Sequence, residues 1–366
     1  MIVPHFEWMI DLAERARKRG DLRYDEILRH IHQALEVREA EPQRGLTLLE
    51  QAHALAERVQ EPWLIMLADH LYLTVLNGAS GDYSVALPIV DRTVAMTRTP
   101  AGARFPQRIC VGEDQIRIWV GIDPLGYAAR IESGIATMEA ELPEDSYCRS
   151  CLASVRTRYA FELGRWDETW ALLEQALTTE LLPQELPALH TQLCLVAWRR
   201  GDWDRLRHWA AEGVASSRTH DLAACLAECI AWQAVLARRD GDEPAAQRLC
   251  RSAVLEAKRS LRPLAYEYFD ALCAFHEMAR EYDRAYQTRG RQLALLQGKE
   301  HIWEECRVRI EACRLLALQG RASEGATAAA RQAAARLQQP DAVLEGLARL
   351  AGGDLTPFYP SPAVPK

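Results

Sequence analysis

The sequence predicts an all-α protein of stacked antiparallel helix pairs, and three observations lead there. Ala, Leu, Arg and Glu dominate a chain with only 7% aromatic residues, and these four lose little rotamer freedom in a helix. Short Gly-centred breaks recur at Gly81-Asp82-Tyr83, Gly121-Ile122-Asp123, Gly164-Arg165-Trp166, Gly201-Asp202-Trp203, Gly241-Asp242-Glu243 and Gly320-Arg321-Ala322, spaced by 40, 43, 37, 40 and 79 residues. Around the breaks, stretches such as PALHTQLCLVAWRR (187–200) and DRLRHWAAEGVASS (204–217) place apolar residues at helical spacing.

Residues 1–21 read as an N-terminal capping helix, running from Phe6 to Arg19 and ended by Gly20-Asp21. Residues 22–337 then form about eight units of helix, tight turn, helix. Arg280-Glu281-Tyr282 fills the slot in the double-length gap, and Ala40-Glu41-Pro42 fills the corresponding slot at the front. The Ala-rich stretch Ser323 to Leu337 is the last full helix, and 338–351 forms a C-terminal capping helix over Asp341 to Leu350, as a solenoid must close its exposed ends. Residues 352–366, GGDLTPFYPSPAVPK, hold four prolines, which prevent a helix and favour an extended tail, read as a loose end in preference to a docking motif.

Close helix packing demands small residues at fixed depths, and the aligned units supply them. Seven residues before the break stand Thr74, Thr157, Cys194, Ala234, Cys273 and Cys313; five after it stand Gly45, Ala86, Gly126, Thr169, Ala246, Ala285 and Gly325. Twelve after it the column reads Ala52, Thr93, Ser133, Ala176, Gly213 and Ala253, and two after it an aromatic recurs as Tyr83, Trp166, Trp203 and Tyr282. These columns resemble the tetratricopeptide repeat family, in which small residues of paired helices meet and an aromatic opens the second helix. The period near 40 exceeds the family's usual 34 and is similar to that of bacterial regulatory proteins with tetratricopeptide sensor domains. Asp114 and Leu206 interrupt the columns, and the third unit fits least well. The resemblance implies a right-handed α-solenoid whose first helices line a concave face.

Composition excludes several function classes. With 44 Lys and Arg scattered among 51 Asp and Glu and a net charge of −7, no basic stripe is available for phosphates, so direct nucleic-acid binding is not expected. Glu7, Asp11 and Glu14 interrupt the N-terminal apolar stretch, and no apolar run approaches the roughly 20 residues of a membrane span, which predicts a cytoplasmic chain without a membrane role. Ten cysteines in such a chain argue against a disulfide framework. Cys148-x-x-Cys151 looks like half of a zinc site, and Cys225 and Cys229 share a helical face, but no second pair or histidine pair stands at ligand spacing; most of these thiols read as packing residues, with a redox role for Cys148 and Cys151 the lesser alternative. No metal or cofactor is expected. His70, His190 and His276 stand alone in sequence, and Trp198 and Trp232 read as inter-repeat core ahead of ligand platforms. The chain lacks H-E-x-x-H, G-x-S-x-G and G-x-x-x-x-G-K-[ST], so it is read as not an enzyme.

Function is therefore sought in the groove. The resemblance directs positions 13, 10 and 6 before each break inward, which selects Arg108, Gln115, Ser154, Arg158, Thr191, Glu228, Glu267, Asp270, Arg307 and Arg314, interleaved with Ala68, Leu71, Ala188, Ala231 and Ala274. Small residues leave room there, and the charged ones suit peptide termini or side chains through charge-assisted hydrogen bonds. The leading expectation is a protein- or peptide-binding scaffold with a regulatory or signalling role. No DNA-binding helix-turn-helix is read in the chain, so any action on transcription would go through a partner. A sensor for a small molecule or short signalling peptide is the first alternative, and an enzyme of unrecognised chemistry the second. Self-association into a homo-oligomer is left open.

Overall fold

A computed structural model describes residues 7–38, 41–79, 81–142, 148–178, 186–260 and 266–358. Among these, eighteen α-helices form and no strand does. They are α1 (Glu7–Arg17), α2 (Arg23–Val37), α3 (Pro42–Val59), α4 (Pro62–Ala79), α5 (Tyr83–Thr97), α6 (Arg108–Ile122), α7 (Ala128–Glu141), α8 (Cys148–Glu162) and α9 (Trp166–Thr178). There follow α10 (Leu186–Arg200), α11 (Trp203–Thr219), α12 (Ala223–Arg239), α13 (Glu243–Arg259), α14 (Tyr266–Met278), α15 (Tyr282–Leu296), α16 (Ile302–Leu318), α17 (Glu324–Ala334) and α18 (Asp341–Ala351). No helix among the described residues is long and apolar enough to cross a membrane.

The breaks work by one local device. Gly201, Gly241 and Gly320 take φ of +70°, +83° and +67°, where a side chain is costly, and end the helix before them. The next amide reaches five residues back, as in Asp202 N to Ala197 O and Asp242 N to Ala237 O, both at 2.9 Å. Asp202 and Asp242 then cap the following helix, their carboxylates accepting from the amides of Arg205 and Ala245. The recurrent aromatic is the first residue of that helix at Tyr83, Trp166, Trp203 and Tyr282. The third break departs from expectation. Helix α6 runs on to Ile122, and the reversal is made by residues 123–127, because the Asp123 carboxylate accepts from Gly126 N at 2.8 Å and holds that turn.

By contacts the chain divides into two compact units, one of Met1–Ile118 with Glu132–Leu152, the other of Trp119–Ile131 with Ala153–Lys366. In the first, α2 packs on α3, α3 on α4 and α4 on α5. In the second, the successive pairing continues through α9, α10, α11, α12 and α13 and again from α14 to α17, while α12 also touches its fellow first helices α10 and α14. That is the packing of a helical solenoid. Small-residue columns lie at these contacts: Ala52, Ala86, Thr93, Ala246, Ala253 and Ala285 are buried, as are Cys194, Ala234 and Cys273. Thr74, Ser133 and Gly325 are exposed, so the columns fail at those three positions. Trp232 is fully buried in the core of the second unit and stands 5.2 Å from Trp198, which packs half-buried against that core.

Candidate functional site

Helix α16 carries Glu304, Arg307, Glu311 and Arg314, whose 3-4-3 spacing puts them on one face, and all four are buried. A buried charge is costly unless it is paired, so the stripe needs counterparts close by. Arg314 takes Glu277 of α14 at 2.7 Å and Glu311 at 2.9 Å. Gln292 of α15 donates to Glu304 at 3.1 Å and accepts from Arg289 at 2.7 Å. Arg289, on α15, in turn lies 2.6 Å from Asp270 of α14, whose second oxygen is 3.1 Å from Arg199 at the end of α10. Arg199 also lies over the Trp198 ring, 4.5 Å from its centre. The network thus ties α10, α14, α15 and α16 of the second unit together.

The titration of these groups follows from their neighbours. Burial alone would push the Asp270 carboxyl up, but the guanidinium groups of Arg289, Arg199 and Arg307 bring it down to about 2. Glu311 is likewise held below the usual carboxylate range against burial, by Arg314, Arg289 and an amide donated by Phe358. Glu304 goes the other way: burial lifts it, with Arg307 and Arg158 opposing. Burial also lowers Arg199. Clusters of perturbed groups of this kind mark functional sites more often than chance, although structural networks produce them too.

At the centre of the network is a small cavity walled by Arg199, Asp270, Arg289, Arg307, Val308, Glu311 and Phe358. Its free space is about 10 Å³, room for one water molecule. Phe358 belongs to the segment that follows α18, and it closes the cavity: its amide donates to Glu311 at 2.6 Å, and its ring lies edge-on to Trp303 at 6.2 Å. Gly346 of α18 makes the seat, since a Cβ there would stand 2.8 Å from the Phe358 ring. The tail expected to be a loose end therefore docks as far as Phe358; its remainder, 359–366, lies outside the described residues.

Of the residues selected from the sequence, Asp270, Arg307 and Arg314 meet in this cluster. Glu228 and Thr191 are buried nearer the middle of the same unit, Thr191 donating to Ala188 O at 2.8 Å. Arg158 pairs with Glu162 at 2.6 Å. Arg108 and Gln115 belong to the first unit, where Arg108 pairs with Glu141 at 2.9 Å and Gln115 donates to Asp91 at 3.1 Å. The Glu267 side chain lies outside the described residues. The expectation of a roomy polar lining is corrected. Asp270 and Arg307 are only 3% and 4% exposed, and their side chains face one another and the arginines of α10 and α15 in place of an open lining. Glu304 and Glu311 were missed, though extending the stripe by three and four residues from Arg307 would have found them. Arg199, Arg289 and Phe358 gave no periodic signal, being a helix end, a second-helix residue and a tail residue.

The first unit has its own buried polar groups. His70 Nδ1 lies 2.6 Å from Asp114, which outweighs burial and raises the imidazole, beside Glu113 and its partner Arg117. Cys148 Sγ stands 3.2 Å from Cys110 Sγ on α6, so the first thiol of the C-x-x-C pair has a neighbour outside that motif. Burial pushes the Cys151 thiol up to about 12, and Cys110 is raised further by its hydrogen bond to Cys148. Compared with models of known families the chain matches none, and compared with curated proteins it again finds no match.

Proposed function

We propose that the second unit is a polypeptide-binding scaffold of the tetratricopeptide type, with a regulatory role, whose inner first-helix face takes an extended segment. The observation that carries this reading is the seating of Phe358, a non-helical residue whose backbone amide and ring are both received by α16 and α18. Peptide grooves work in this way, a main-chain hydrogen bond giving affinity and a side-chain pocket giving selectivity. Against the alternative of an enclosed small-molecule site stands the size of the cavity, about 10 Å³ with a charged wall, where drug-sized ligands fill about 300–1,000 Å³ of mostly apolar space. A catalytic reading would draw on the His70–Asp114 pair of the first unit; against it, the hydrogen bond to Cys148 together with burial keeps Cys110 a thiol, burial does the same for Cys151, and the thiolate that nucleophilic chemistry requires is withheld.

The test is selection from a random peptide library on the purified protein and on the full-length Phe358→Ala variant. The reading expects an enriched family of sequences with an aromatic residue, captured more strongly by the variant, whose seat is vacated. Recovery of no common sequence by either protein would sink it.

A further inference from the structure

We infer that Cys110 and Cys148 form a peroxide-responsive dithiol site in the first unit, where a small hydroperoxide oxidises the pair to a disulfide that staples α8 to α6. The inference goes beyond the peptide groove and is independent of it, since it concerns the other unit.

Three features lead to it. The two sulfurs stand 3.2 Å apart although 38 residues separate them in sequence, so helix packing, and not a local motif, brings them together. They need only close from that contact to the about 2.05 Å of a disulfide. The surroundings also give the two thiols different parts. Its hydrogen bond to Cys148, together with burial, keeps the proton on Cys110. Cys148 is the first residue of α8, at the positive end of that helix's dipole. Against burial, Asp114, Glu113 and a charge carried by Cys148 raise the His70 imidazole, which Asp114 holds at 2.6 Å. A thiolate on Cys148 thus has a cation near it and a thiol donor beside it, the setting in which a cysteine attacks a peroxide. Finally, Cys110 and Cys148 are 6% and 3% exposed, which admits a molecule the size of hydrogen peroxide ahead of a bulky disulfide such as oxidised glutathione. Cys151, one turn on in α8, is more exposed, but burial holds it as a thiol, pushed up to about 12.

The Cys148 thiolate attacks one peroxide oxygen and the O–O bond breaks. A sulfenic acid forms, and the departing hydroxide takes up the proton that Cys148 gave away. The Cys110 sulfur then attacks the Cys148 sulfur; the S–S bond forms, the S–O bond breaks, and the hydroxyl leaves as water with the Cys110 proton. Two thiols and one hydrogen peroxide become one disulfide and two waters.

The experiment treats the reduced full chain with stoichiometric hydrogen peroxide or with oxidised glutathione, unfolds it, alkylates the remaining thiols and maps the peptides by mass spectrometry. Peroxide is expected to leave all of the ten cysteines alkylated but the linked two, Cys110 and Cys148, and dithiothreitol to restore both. Cys151→Ser should form the same link, while Cys110→Ala should stop at a Cys148 sulfenic acid that dimedone traps. The map is made on wild type as well, so the result does not depend on a variant that folds. Ten alkylated cysteines after peroxide, or a link that leaves out Cys110, would overturn the dithiol site. A link formed as fast with oxidised glutathione would overturn its selectivity for a peroxide.

Discussion

At the residue scale, the buried charges of the second unit depend on one another, Asp270 standing between Arg199 and Arg289. Replacing a buried ion pair by apolar residues is often neutral, while removing one partner is costly because the other charge stays behind. Asp270→Asn should therefore cost about 3–5 kcal/mol at neutral pH, since Arg199 and Arg289 both lose their acid. The pH dependence has a definite sign. The folded carboxyl of Asp270 is lowered from 3.8 to about 2, so its contribution is fully present above pH 4 or so and is lost as pH falls towards 2. Urea unfolding between pH 5 and pH 2 should show wild type losing about 2 kcal/mol more than Asp270→Asn over that interval; parallel curves would contradict the assignment.

At the element scale, periodicity told most of the story, because helix pairing needs apolar stripes and small contact residues that recur at fixed offsets. The Gly-Asp breaks were legible for a local reason, the left-handed glycine followed by a capping carboxylate. The third break was misread because Asp123, and not Gly121, makes its turn, and a side-chain bond leaves no mark in spacing. Small columns were read correctly where helices come closest. Gly213 on α11 is the sharpest case, as a Cβ there would stand 2.3 Å from Cys229 Sγ on α12 and 3.2 Å from His190 Cβ on α10. Gly213→Ala should lower stability by about 1–3 kcal/mol through overpacking, and Cys229→Ala should relieve at least half of that loss by removing the sulfur it strikes. Thermal unfolding of the two single variants and the double variant decides the matter: strictly additive losses would mean that the two helices are farther apart than described.

At the scale of the whole molecule, a regular array of eight units was expected, and contacts resolve two compact units, with residues of α6, α7 and α8 contributing to both. The sequence carried a trace of this, since the third unit is where Asp114 occupies a small-residue slot and where Ser133 proves exposed. The charged stripe of α16 was half legible, through Arg307 and Arg314, but its partners were not, because ion pairs such as Arg199 with Asp270 join residues 71 apart. Least legible was the docked tail: its prolines exclude a helix but do not announce that Phe358 has a seat on Gly346, Trp303 and Glu311. If this seat is a peptide site occupied by the chain itself, as proposed, an added peptide must displace residues 354–358 from it. Hydrogen–deuterium exchange on the full chain, with and without an excess of the peptide Gly-Gly-Asp-Leu-Thr-Pro-Phe, tests it most directly. Added peptide should speed exchange at the amides of residues 354, 355, 356 and 358 and leave exchange in α16 unchanged or slower; unchanged exchange at those four amides at millimolar peptide would mean that the chain's own segment does not occupy a peptide seat.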